Sequence, residues 1–303
     1  MAHAYSYETA LAASERVSFR LDDVLDEAAD FDFAKPFLPE ALAGTQQLTV
    51  LPPGERLLLN QVRGHSYLCL FGLVEEFILP FVLDHARADL SGDVRTRALL
   101  TFATEEAKHI QLFERFRACF ARGFGTPCEA IGPAAAIAQA VLSHGPLSVS
   151  LLILHIEWMT QRHYVESVRD EQSLEPRFKS LLKHHWLEEA QHSKLDTLMV
   201  EQLASQLSPR EIRAALEEYV AIGVQLSDLL DNQLDLDLAS LERATGRPLS
   251  KQERAGVHDV QRRSLRWTFL GSGMTHPNFL TTVDAITPGG AARVRAVATQ
   301  FCV

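Results

Sequence analysis

Two segments of the chain set a glutamate and a histidine three residues apart: Glu106-Ala-Lys-His109 and Glu189-Ala-Gln-His192. Residues at that spacing share one face of an α-helix, so each segment presents a carboxylate and an imidazole to one spot. One such pair arises often by chance. Two matter when the fold brings them together. Two isolated carboxylates are spaced to join them. Glu76 stands 15 residues before Ser91, and Glu106 stands 15 after it; Glu157 stands 16 before Ser173, and Glu189 stands 16 after it. With turns at those serines, each hairpin puts one isolated glutamate level with one Glu-x-x-His, roughly 23 Å from the turn at 1.5 Å per residue. Pairing the hairpins gathers six groups in one layer. Four buried carboxylates are costly without counter-charge, and two divalent ions neutralise them. Carboxylate and imidazole donors suit iron or manganese, and the lack of a cysteine in the set argues against a thiolate site.

Some neighbours compete for these roles. Glu75 adjoins Glu76, and only one of the two can face the metals; Glu76 has the more symmetric spacing, with Glu75 as the alternative. His185 lies four residues before Glu189 and seven before His192, on the same helical face. It fits equally as a seventh ligand and as a histidine behind the ligands or at the surface. Glu105 and Glu188 miss the Glu-x-x-His spacing and are expected at the surface or behind the ligands. Glu166, nearer the end of its helix, is expected in solvent. His155 and His163 flank Glu157 and read as either supporting or exposed; His65 and His276 read as structural. No general base beyond the metal ligands is called for.

The elements that must position these groups are helical, with almost no strand signal. Residues 1–54 are punctuated by Pro36, Pro39, Pro52 and Pro53 and are expected to wrap irregularly around the core. Helices are predicted from Glu55 to about Leu90, kinked at Pro80, and from Val94 to Arg122, with the break at Ser91-Gly92-Asp93. A loop rich in Gly, Pro and Ala spans Gly123 to Gly145. Pro146 and Pro176 sit where first-turn prolines open two more helices, to about Arg169 and Gln206. Ser208-Pro-Arg-Glu211 and Ser250-Lys-Gln-Glu253 read as capping boxes, opening helices near 209–235 and 250–270. Gly271 to Asn278 reads as a loop. The expectation is one all-α domain over 1–303: an N-terminal wrap (1–54), a metal-binding four-helix core (55–206), and additional helices with a C-terminal tail (207–303).

The composition agrees. The chain has 303 residues, 47% of them apolar, enough to bury a sizeable core. Its formal charge of −10 and the lack of a basic run argue against a nucleic-acid partner. The stretch Tyr67 to Leu83 is strongly apolar, but Glu75 and Glu76 in its middle suit a buried helix rather than a membrane span. Four cysteines without CxxC spacing, and an N-terminus without signal-peptide features, fit reduced thiols in a cytoplasmic protein. Apolar faces left outside the core fit a homodimer.

The motif set resembles the di-iron N-oxygenase family typified by p-aminobenzoate N-oxygenase, within the ferritin-like superfamily. That family carries a Glu, a Glu-x-x-His, a Glu, and then His-x-x-x-Glu-x-x-His. Here these are Glu76, Glu106-x-x-His109, Glu157 and His185-x-x-x-Glu189-x-x-His192. The resemblance runs through the motifs of roughly residues 55–206 and is vague outside them. It implies a ferritin-like bundle holding two iron ions, O2 activation, oxidation of a small molecule at an amine nitrogen, and a ferredoxin-type or flavin reductase as electron donor. Related scaffolds hydroxylate and desaturate, and a ferritin-like iron-binding or iron-oxidising protein with no organic substrate is the competing expectation.

Overall fold

The structure, a computed structural model, describes residues 3–26, 30–87 and 92–301. These residues contain no β-strand, and long helices make up most of them. The core is built from α4 (Pro53–Arg87), α5 (Val94–Phe124), α7 (Pro146–Arg162) and α8 (Pro176–Ser205). α4 packs along α5 and α7 along α8, and α5 also meets α8. The two hairpins thus form the four-helix bundle that the sequence predicts.

Local sequence explains where these helices begin. Asp93 caps α5, its side chain accepting from the Thr96 N–H at 2.8 Å. Glu175 caps α8 in the same way through the Phe178 N–H at 2.6 Å, and Pro146 and Pro176 occupy first turns, where an amide N–H would lack a partner anyway. α4 runs unbroken through Pro80. Its apolar stretch is long enough to cross a membrane, but most of it is buried inside the protein. The proposed break at Ser91 falls on a residue outside those described.

Around this core the structure departs from expectation in several places. The N-terminal segment is not simply irregular: α1 (Tyr7–Val17) lies against α5 and α8, with short turns α2 (Leu21–Val24) and α3 (Glu40–Ala43) after it. Within the predicted 123–145 loop lies α6 (Ala134–Leu142), packed on α4. α9 (Pro209–Thr245) is ten residues longer than predicted, because Leu234, Leu238 and Leu241 continue its buried face up to Gly246, which ends it at φ +67°. α10 (Lys251–Arg266) passes into a π-helical stretch, Trp267–Gly271, and the predicted loop beyond contains α11 (Ser272–Met274). The tail folds into α12 (Pro277–Ile286) and α13 (Gly290–Phe301). Both capping boxes form: Ser208 N–H meets Glu211 at 2.8 Å and Ser250 N–H meets Glu253 at 2.8 Å. α11 presses onto α7 so closely that a Cβ at Gly273 would lie 1.9 Å from the His155 ring.

Candidate metal centre

Both Glu-x-x-His segments lie mid-helix, on α5 and α8, and their side chains converge in the bundle interior. Glu106 Oε1 is 2.7 Å from His192 Nδ1, and Glu106 Oε2 is 3.6 Å from His109 Nδ1. Glu189 reaches three imidazoles: His185 Nε2 at 2.6 Å, His109 Nδ1 at 3.1 Å and His192 Nδ1 at 3.0 Å. From α4, Glu75 Oε1 comes to 3.4 Å from His185 Nε2 and 4.0 Å from His109 Nδ1. Glu157 of α7 is buried and lies close enough to Glu189 to feel its charge. Two overlapping foursomes result, Glu75-His109-His185-Glu189 and Glu106-His109-Glu189-His192, each offering ligand atoms within 4.8 Å of one another.

This donor set fits metal ions. Glu75 Oε2, both oxygens of Glu106, His109 Nδ1, His185 Nε2 and Glu157 Oε2 are buried and take part in no hydrogen bond of acceptable geometry. So many orphaned donors and acceptors would be costly in a purely structural cluster, and cations satisfy them together. Electrostatics agree. Burial, with the neighbouring charge of Glu106, pushes the Glu75 carboxyl well above its usual range; burial and Glu189 do the same to Glu157. Burial opposes protonation of His109 and His192, yet the surrounding carboxylates outweigh it and hold both imidazoles well above their ordinary range. Without metal, then, the cluster holds protons that binding must displace.

The ring nitrogens turned away from the centre are also engaged. His109 Nε2 lies 3.0 Å from Glu188 Oε2, and His192 Nε2 lies 2.8 Å from Glu105 Oε2. Lys108 pairs with Glu188, and Ser14 of α1 donates to Glu105 at 3.4 Å. Such carboxylates fix the tautomer and direction of a metal-binding imidazole.

One expected residue is displaced. Glu76 is exposed and faces the surface near Ala135 and Gln139 of α6, while Glu75 is buried in the cluster. Neighbours on a helix differ by 100° in direction, and counting from a turn does not resolve that rotation. His185 joins the cluster. Glu105 and Glu188 are buried behind the histidines, and Glu166 is exposed, paired with Arg162. His155 and His163 are both buried but point elsewhere: His155 Nδ1 to the Tyr219 hydroxyl and His163 Nδ1 to the Tyr67 hydroxyl, each at 3.0 Å. His65 packs on Phe120, and His276 caps α12 and stacks on Trp158. Two groups were not anticipated. Asp196 is fully buried one turn past His192, with neither oxygen hydrogen-bonded, and burial pushes its carboxyl well up. The periodic stripe 185-189-192-196 would have pointed to it. Tyr67 lies close enough for burial and the Glu189 charge to push its phenol upward.

A four-helix bundle with a buried layer of glutamates and histidines defines the ferritin-like, metal-binding class. The family model of p-aminobenzoate N-oxygenase AurF matches residues 6–237, most of the chain. The chain belongs to that family and is a non-haem di-iron oxygenase, an enzyme that uses O2 to oxidise a small organic substrate. A search of curated proteins finds no match.

Proposed function

We propose that Glu75, Glu106, His109, Glu157, His185, Glu189 and His192 bind two iron ions and that the enzyme oxidises the nitrogen of an amine. The observation that carries this reading is the convergence of six of these side chains in two overlapping buried foursomes, with Glu157 buried as well, in a chain from this family. Bound iron supplies the electrons and open coordination positions for oxygen activation. The chain's own residues do the rest. Glu189, central to both foursomes, spans the cluster; Glu75 and His185 close one end, and Glu106 and His192 the other. Glu105 and Glu188 hold the imidazoles in register. Phe71, Phe102 and Phe113 lie against the histidine rings and keep bulk water away. An external reductase, of ferredoxin or flavin type, returns electrons after each turnover, and the enzyme works in the cytoplasm.

Metal analysis of the native protein is expected to find about two irons per chain, the complement of this bundle class. The reduced, iron-loaded protein, given O2 and an arylamine, is expected to yield hydroxylamine or nitro products by mass spectrometry. A zinc-only protein sinks the iron assignment, and oxidation only at carbon sinks the nitrogen assignment.

A further inference from the structure

Tyr67 and His163 form a buried pair outside the set of metal ligands. Tyr67 stands eight residues before Glu75 on α4 with Phe71 midway, so the three follow one side of the helix over roughly 12 Å at 1.5 Å per residue. The Tyr67 and Phe71 rings lie 4.4 Å apart between centroids, and Phe71 meets the His185 ring at 5.4 Å. Aromatic contact thus leads without a break from Tyr67 to a ligand histidine. The Glu189 charge reaches Tyr67 as well. It adds to burial in pushing the phenol upward, so the hydroxyl keeps its proton at any ordinary pH.

The partner of that hydroxyl is a base with its lone pair turned toward it. Tyr67 Oη is 3.0 Å from His163 Nδ1. His163 Nε2 faces the Thr268 carbonyl at 3.0 Å, and a carbonyl only accepts. The Ser272 hydroxyl, also 3.0 Å from Nε2, gives its own proton to that carbonyl at 2.8 Å. Nε2 therefore carries the ring proton, and Nδ1 is left to accept from the phenol. Two π-helical stretches meet at this imidazole: His163 opens one, His163–Val168, and Thr268 belongs to the other. Wide turns of this kind gather at functional sites. Tyr219 and His155 pair at the same 3.0 Å, but burial alone raises that phenol, with no ligand carboxylate acting on it.

We infer that Tyr67 is an electron donor to the iron centre, with His163 as the base that takes its proton; this rests on the reading of the cluster as an iron site. Two ferrous ions hold fewer electrons than O2 needs to become water, so a centre that meets O2 without substrate is left oxidising. Tyr67 then gives it one electron. The phenolic O–H bond breaks and its proton passes to His163 Nδ1. The products are a neutral phenoxyl radical, an imidazolium and a centre reduced by one electron. The ferredoxin- or flavin-type reductase returns the electron to Tyr67, and the proton goes back to the phenol. An electron crosses packed rings over this distance, whereas a proton moves only along a hydrogen bond. That is why the base must touch the hydroxyl while the iron need not.

The test is rapid-freeze electron paramagnetic resonance on the reduced, iron-loaded protein mixed with O2 in the absence of substrate. An organic radical signal is expected, and ring-deuterated tyrosine supplied during expression should narrow it. Tyr67→Phe should abolish the signal while about two irons per chain remain. His163→Gln, which keeps a hydrogen-bond acceptor but is no base, should lose most of it. Tyr219→Phe should leave it unchanged. The inference is overturned by a wild type without a tyrosine signal, by a signal that survives Tyr67→Phe, or by one undiminished in His163→Gln. Tyr164, which stacks on Trp186 at 4.3 Å beside His185, is the rival source that the second of these results would expose. Should Tyr67→Phe fail to fold, His163→Gln and the isotope shift in the wild type still decide. Iron-loaded protein that consumes O2 yet forms no radical sinks this inference alone; protein that binds no iron sinks the iron reading with it.

Discussion

His109 Nε2 on α5 lies 3.0 Å from Glu188 Oε2 on α8, and the contact is returned in mirror fashion by His192 of α8 and Glu105 of α5, at 2.8 Å. Each glutamate directly precedes a Glu-x-x-His segment and serves the histidine of the other one. The two helices brace each other's imidazoles. Glu188→Gln and Glu105→Gln keep shape and lose charge, so each is expected to lower iron affinity about ten- to hundredfold with the fold intact. Competition against a chelator of known affinity reads this. Unaltered affinity in both variants would show that the braces do not tune the site.

Glu75 and Glu76 give the sharpest contrast between neighbours. Glu75→Gln is expected to leave fewer than two irons per chain after purification, and His185→Ala to change the optical spectrum of the iron form. Glu76→Gln, at an exposed position, is expected to match the wild type in iron content and within about 0.5 kcal/mol in stability. Iron loss in Glu76→Gln alone would overturn the assignment of Glu75.

The four core helices and the Glu-x-x-His pair were legible because caps, first-turn prolines and i, i+3 spacing are local signals. The choice between Glu75 and Glu76 was not. Beyond them Ile78 and Val82 continue one face, and Leu79 and Leu83 continue the other, so apolar pattern favours neither. Only the packing of α5 and α6 separates them, burying the first pair and leaving Leu83 exposed. α6 escaped notice because Gly132-Pro133 precedes it and its alanines read as loop composition. His155 and His163 looked available because nothing local reveals that Tyr219 and Tyr67 come from distant parts of the chain to meet them.

Three buried histidines away from the cluster make stability depend on pH. Burial is the main cause in each case, lowering His65 to about 4 and His155 and His163 to about 3. His163 holds its neutral form by donating from Nε2 to the Thr268 carbonyl at 3.0 Å and accepting the Tyr67 hydroxyl at Nδ1. The folded values lie below the unfolded value of 6.5, so the unfolded chain takes up protons first as pH falls. This stability is present above about pH 6.5 and lost toward pH 3–4, at about 1.4 kcal/mol per unit for each histidine. Urea midpoints of wild type and His163→Gln at pH 7.5 and 5.5 test this. The variant's loss on acidification should be smaller by about 1.4 kcal/mol; an equal loss would remove His163 from the account.

Arg63 and Asp237 form a buried pair at 3.6 Å between α4 and α9, with Ser66 and Gln233 also on Asp237. Burial raises Asp237 to about 6 despite these partners. Asp237→Asn would leave the Arg63 cation buried without counter-charge, at a cost of about 3–5 kcal/mol. Chemical denaturation at pH 7.5 is expected to show that loss. A change below 1 kcal/mol would mean that Arg63 finds other compensation.

The matching segments Glu105-Glu106-Ala-Lys-His109 and Glu188-Glu189-Ala-Gln-His192 make the centre nearly twofold, but the likeness ends one turn upstream. His185 stands four residues before Glu189, and the corresponding place before Glu106 is Phe102, whose ring stacks on His192 at 4.0 Å. One half of the centre has a third nitrogen where the other has a hydrocarbon wall. The halves are therefore unequal partners: a symmetric frame carries a built-in polarity, which gives an incoming molecule a front and a back to distinguish.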